Sequence, residues 1–236
     1  YEVYAFDNSV RTAWLDMQRG FFNGTSLCLR VHGQEDAPHQ LQLIAVKSQP
    51  DWQAATGLAP VQTDKKGFGL YQAANYDELV DCPVELGTFW SGSFVACGVP
   101  HRFVVAGAAP GFDGDKLLAD TQKICEEAIG FWHGSGKAAG KKTPHPNYLF
   151  MLNAVHDGYG GLEHRNSTAL ICKRDDLPRH NGLSASPRKP EGYTTLLGLI
   201  SQVPGGIGIF DRVQYPKRDT IFLCGSQQRL HVLWKA

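Results

Sequence analysis

The chain has 236 residues, 42% hydrophobic and 19% charged, proportions of a folded globular protein with ample material for a core rather than of a disordered one. Lysine plus arginine equals aspartate plus glutamate at 23 each, so no bulk field draws the chain to nucleic acid or an anionic membrane. No segment approaches the roughly 20 uninterrupted apolar residues of a membrane-crossing helix, and a soluble chain is expected, with cytoplasm and periplasm both left open.

Tyr1-Glu2-Val3-Tyr4-Ala5-Phe6 reads as a strand already in progress without a basic leader, which suggests a fragment of a longer chain. In Phe21-Phe22-Asn23-Gly24 an Asn-Gly turn precedes the alternating run Leu27 to Val31, a hairpin signal. Gln40 to Val46 also alternates, so the first third is predicted to be mostly β. The acidic and proline punctuation of Asp77-Glu78-Leu79-Val80-Asp81-Cys82-Pro83 places a domain junction near residue 80.

Beyond it, Phe89 to Ala96 and His101 to Ala106 read as strands paired around Gly98-Val99-Pro100. Asp113 offers a cap, and Leu117, Thr121, Ile124, Ala128 and Trp132 recur at helical spacing, which predicts a helix over 113–133. Gly134 to Lys142 lacks the Gly-Lys-Ser/Thr ending of a phosphate loop and is expected to be a mobile linker. Tyr148 to Val155 is a nearly continuous apolar run, as in a strand buried on both faces.

Next comes Gly158-Tyr159-Gly160-Gly161-Leu162-Glu163-His164-Arg165-Asn166-Ser167, a glycine-hinged turn that delivers a carboxylate, an imidazole and a guanidinium in succession. The strand Ser167 to Lys173 follows, then a polar loop over 175–189 and a helix over 190–201. That helix is expected to stop at Ser201, because Gln202-Val203-Pro204-Gly205-Gly206 breaks it three times over. The tail has strand-like runs at Ile207 to Phe210, Thr220 to Cys224 and Leu230 to Trp234.

Chemistry-bearing residues are sparse. The six cysteines form no Cys-x-x-Cys pair and read as small buried thiols, Cys172 among them. There is no Gly-x-Ser-x-Gly elbow, and Ser91-Gly92-Ser93 lies in a strand. His145 and His156 read as surface or hydrogen-bonded residues rather than recruited metal ligands, and Cys224, His231, Asp211 and Asp219 lack the spacing of a metal site. After Glu191 the chain has no glutamate, and after His180 its only histidine is His231.

Four blocks carry a resemblance: Arg19 to Ser26, Asp77 to Gly87, Tyr159 to Ser167 and Gly192 to Ser201. Through them residues 1–201 resemble the glycyl aminopeptidase family of zinc metallopeptidases, relatives of thermolysin that usually carry a later PDZ domain. Members of that family continue at once with His-Glu-x-x-His, whose two imidazoles and glutamate hold zinc and activate its water. No such motif occurs in these residues. The resemblance implies zinc in the family, but no catalytic residue, metal ligand or catalytic cofactor is assigned to this chain.

The Gly-Gly-Leu-Glu-His block resembles the Gly-Ala-Met-Glu-Asn block of related aminopeptidases, whose carboxylate binds the substrate's α-ammonium. This implies that role for Glu163, with Gly160, Gly161 and His164 completing a substrate-binding turn for peptides with a free N-terminus. The alternatives are that Glu163 pairs with Arg165 or His164 on a solvated turn, and that His164 is a structural hydrogen-bonding residue.

The implied architecture is α+β: a β-rich N-terminal domain over 1–80, the sheet-containing half of a thermolysin-like metallopeptidase domain over 81–201, and a divergent tail over 202–236. An uncovered apolar cleft surface would favour oligomers. Two functions stand side by side: a fragment of a zinc metallo-aminopeptidase that keeps the amine-binding turn but lacks the zinc helix and is inactive as given, or a non-catalytic binding protein for free-amine peptides.

Overall fold

A computed structural model of the chain describes residues 1–134, 136–180, 191–206 and 229–231. By contacts it divides into two units, one running from Tyr1 to Thr88 and joined by residues 229–231, the other beginning at Phe89. The division thus falls later than the punctuation near residue 80, which forms a short helix and the approach to a strand. The chain is mixed α and β with a β-rich N-terminal unit, the expected fold class.

In the first unit the elements are β1 (Glu2–Tyr4), β2 (Ala13–Leu15), β3 (Arg19–Phe22), α1 (Gly24–Leu27), β4 (His39–Leu43), β5 (Gln53–Thr56), β6 (Ala59–Thr63), β7 (Gly69–Ala73), α2 (Tyr76–Val80) and β8 (Val84–Gly87). Antiparallel sheets of order β2-β3-β8-β5 and β4-β7-β6 enclose a core that includes Phe22, Trp52, Phe68, Tyr71, Leu79 and Val84. The Asn-Gly pair makes no hairpin: the Asn23 side chain accepts from the Thr25 amide and caps α1 instead. The same residue type serves both a turn and a helix start, and here the cap wins.

In the second unit β9 (Phe89–Ala96) and β10 (Val99–Ala106) form the expected hairpin. Its turn places Cys97 at φ 49° and Gly98 at φ 89°, the two positive values that a tight hairpin of matching twist requires. Then come α3 (Gly114–His133), α4 (Lys137–Gly140), β11 (Tyr148–Val155), β12 (Gly160–Glu163), β13 (Ser167–Lys173), a short 3-10 turn at Arg174–Asp176 and α5 (Glu191–Gly206). The sheet order is β12-β13-β11-β10-β9, with β10, β11 and β13 parallel and both edge strands antiparallel. β11 is central, which explains its nearly continuous apolar run.

Asp113 caps α3 as predicted, accepting from the Lys116 amide at 2.9 Å. The buried line, however, is Leu117, Thr121, Cys125 and Ile129, not one ending in Trp132, which stays largely exposed. A four-residue step keeps side chains on one slowly drifting stripe, and the small Cys125 fits where bulk drew the eye to Ile124. Within the expected linker, Lys137 to Gly140 is a helical turn.

Helix α5 does not stop at Ser201 but continues to Gly206. Tyr193, Leu196, Leu199 and Ile200 are buried and join the core of Phe103, Phe150, Leu152 and Leu117. A helix anchored so firmly propagates one bond per residue, so the proline's penalty of about 3 kcal/mol is borne by packing. Beyond it, the runs Ile207 to Phe210 and Thr220 to Cys224 lie outside the described residues. Arg229–His231 forms β14, antiparallel to β1. Among the described residues no helix is long and apolar enough to cross a membrane.

Candidate functional site

Gly160 to Glu163 is an edge strand rather than a turn. It pairs with β13 in the register Gly160 to Ile171, Gly161 to Leu170, Leu162 to Ala169 and Glu163 to Thr168. Its other side belongs to no strand among those described. The tight return comes after Glu163, where the His164 amide donates to the Ser167 carbonyl at 2.8 Å. Thr168 Oγ1 ties the strand inward by donating to the Leu162 carbonyl.

The two glycines differ in role. A Cβ at Gly161 would stand 3.0 Å from Leu170 Cδ2 and 3.5 Å from Leu199 Cδ1, so this position lets the strand lie close beneath α5. A Cβ at Gly160 would meet no atom within 4 Å and leaves a bare stretch of backbone at the edge. Glu163 is half-buried at the strand's C-terminal end. Among the described residues no ion pair or hydrogen bond engages its carboxylate.

The corner beyond Glu163 is held from beneath. Tyr148, buried at the start of β11, donates from its hydroxyl to the Ser167 carbonyl at 2.9 Å. Tyr193 at the start of α5 donates to Asp120 Oδ2 at 2.9 Å, and Lys116 reaches the same oxygen at 2.9 Å. The Tyr193 bond ties α5 to α3. No periodicity or motif in the sequence singles out Tyr148 or Tyr193, since each reads as one more aromatic in an apolar run.

The remaining candidates scatter. His145 is buried, contrary to the surface or hydrogen-bonded reading, and neither ring nitrogen has a hydrogen-bond partner. Burial against the Tyr148 ring leaves the imidazole without the partner that buried polar groups usually have. His156 is exposed, and its neighbour Asp157 pairs with Lys173 at 2.9 Å. Cys172 is buried, and burial pushes its thiol up to about 12, a packing residue rather than a nucleophile. Ser91 Oγ accepts from Arg102 Nε at 3.0 Å on β9.

Among the described residues no three His, Cys, Asp or Glu side chains converge as metal ligands. Asp211, Asp219 and Cys224 lie outside them. The donor set present does not fit a catalytic zinc of three protein ligands, and no step is assigned to one.

Residues 1–88 match the Peptidase M61 N-terminal domain. An aminopeptidase N family protein from Idiomarina loihiensis is 38% identical with a TM-score of 0.77, the match covering 87% of this chain and 33% of that one. An M1 zinc metallopeptidase from Deinococcus radiodurans is 14% identical with a TM-score of 0.43, covering 72% and 39% respectively. The chain therefore spans little more than a third of these solved structures. No curated protein matches it. Residues 1–88 thus match the model of the Peptidase M61 N-terminal domain, and across both units the chain is similar to an aminopeptidase N family protein.

Proposed function

We propose that this chain is the amine-recognising part of a glycyl aminopeptidase-like metallopeptidase, retaining the substrate-binding strand without the zinc helix and inactive as given. Peptides with a free N-terminus lie along β12 and present their ammonium to Glu163. The observation that carries this reading is the edge position of β12, with a carboxylate at its end that no described residue engages. An unpaired strand edge offers backbone groups to an extended peptide, and a carboxylate at its end receives a terminal ammonium in a charge-assisted bond. Gly160 leaves room for close approach and Gly161 keeps the strand under α5, while His164 stands at the corner as an orienting group. Hydrolysis is not expected, since no His-Glu-x-x-His occurs in the 236 residues.

Calorimetric titration of the chain with a free-amine tripeptide beginning in glycine or alanine, and with its N-acetylated form, tests the assignment. Replacing Glu163 by Gln should weaken the free-amine peptide roughly tenfold or more and leave the acetylated one unchanged. Equal effects on both, or none, would remove Glu163 from the role. Stoichiometric zinc with chelator-sensitive release of N-terminal residues would overturn the inactive half of the proposal.

One observation favours the second reading, a non-catalytic binding protein for free-amine peptides. Residues 229–231 pair with β1 and so form part of the sheet structure rather than an idle extension. The nucleotide sequence beyond the Ser201 codon discriminates: His-Glu-x-x-His in another reading frame favours an interrupted peptidase, and its absence favours the binding protein.

A further inference from the structure

Away from β12, the end of the sheet where β10 and β11 begin encloses two histidines. His145, just before β11, is 4% exposed. Its ring stands edge-on to Tyr148 with centroids 5.1 Å apart, and neither nitrogen has a hydrogen-bond partner. His101 on β10 stacks on Phe94 of β9 at 4.9 Å and tilts against Tyr148 at 6.1 Å. Its Nδ1 donates to the Val99 carbonyl at 2.8 Å, which spends that proton locally.

The two groups whose charge acts on His145 both oppose a proton on it. β10 contributes His101, and α3 contributes His133 in its last turn. β9 carries no ionisable side chain, and β11 contributes only the Tyr148 phenol. Lys137 of α4, with Lys141 and Lys142, adds positive charge on the connection that holds His145. Elsewhere that connection is held by Thr143 Oγ1, which donates to the Gly140 carbonyl at 2.7 Å with the His145 carbonyl 3.0 Å away, and by the close approach of Gly140 to the Cys97 carbonyl.

We propose that His145 is an acid-released latch: while neutral, its ring pins residues 141–147 against the end of the sheet, and once protonated it leaves its buried site beside Tyr148 and frees that segment. A charged imidazole there would have neither water nor an acceptor. Burial first, then the two neighbouring imidazoles, hold His145 down to about 4, against an ordinary value of 6.5. The folded state thus binds its proton less readily than the unfolded chain does. The ring's contribution is complete above about pH 6.5 and is lost progressively as pH falls toward 4.

Denaturant unfolding of the full chain, wild type against His145→Phe, tests this. Phenylalanine keeps the contact with Tyr148 and cannot titrate. Between pH 7 and pH 5 the wild-type folding equilibrium should fall roughly twentyfold further than that of the variant. Equal losses would overturn the latch. Should the variant fail to fold, two measurements on the wild type decide. The His145 ring should titrate well below pH 6 in the folded protein, and the Thr143 amide, which donates to the Gly140 carbonyl, should lose protection between pH 7 and pH 5 while the amides of β10 keep theirs. Titration of the ring near 6.5, or exchange there only on global unfolding, would refute the proposal.

Discussion

Tyr148 and His164 donate to a single acceptor, the Ser167 carbonyl, the first through its hydroxyl at 2.9 Å and the second through its backbone amide at 2.8 Å. The corner that follows Glu163 is therefore fixed both by its own closing bond and by a buried side chain two strands away in the sheet. Position at an edge costs a strand half its ladder bonds, and this second donor stiffens the end that carries the carboxylate.

Replacing Tyr148 by Phe should remove that donor without leaving Ser167 O unpartnered, because the His164 amide remains. The expected loss is about 1 kcal/mol, the net value of one internal bond, read as a lower urea midpoint at unchanged slope. Faster hydrogen exchange at the His164 amide should accompany it. Unaltered exchange there would show that the corner does not depend on the phenol.

In the first unit Glu85 is buried, and Arg19 meets it through Nε at 2.6 Å and a terminal nitrogen at 2.7 Å. Burial raises the Glu85 carboxyl and Arg19 only partly offsets it. Arg19→Met should strand the carboxylate and destabilise the protein by about 3–5 kcal/mol at pH 7. A raised carboxyl binds its proton more readily folded than unfolded, so acidification through the carboxylate range should restore part of that loss relative to wild type. Denaturant midpoints from pH 7 down to 4 check the sign, and a deficit that widens on acidification would count against it.

Gly114 opens α3 against Trp90, whose Cζ2 would stand 2.2 Å from an added Cβ. Alanine is the better helix former by up to about 1 kcal/mol. Overpacking against a rigid indole costs about 1–3 kcal/mol and should prevail. Gly114→Ala is accordingly expected to lower the melting temperature, while Gly130→Ala, with nothing within 4 Å of its Cβ, should raise it.

Asp120 joins α3 to α5. Its partial burial alone would raise the carboxyl, but bonds from Lys116 and Tyr193 outweigh that and leave it below its ordinary value. A depressed carboxyl contributes stability above its unfolded value and loses it as pH falls through the folded one. Tyr193→Phe should therefore lower stability at pH 7 by about 1–2 kcal/mol, with the difference from wild type narrowing below pH 4. A difference that persists at pH 2.5 would assign the effect to packing instead.

Elements governed by near neighbours were legible in the sequence. Asp113 announces α3, Gly98 the hairpin of β9 and β10, and the nearly continuous apolar run from Tyr148 the central strand, since caps, positive φ values and burial on two faces each leave a local mark. The Asn23-Gly24 pair misled because its two uses share one spelling. The glycines at 160 and 161 suggested a turn, yet β13 takes that segment into its ladder, and pairing with another strand is not written in the strand's own residues.

What the amino-acid order alone determined was the alternation of strands and helices, the mixed class, and the shortage of imidazoles and carboxylates beyond Glu191. Only the tertiary structure decided that Arg19 meets Glu85, that Tyr148 reaches Ser167, that α5 continues across Pro204, and that His145 is buried against Tyr148. Propensity and capping act over a few residues, whereas desolvation and edge position depend on neighbours brought together by folding, and those neighbours decide what each charged or polar group can do.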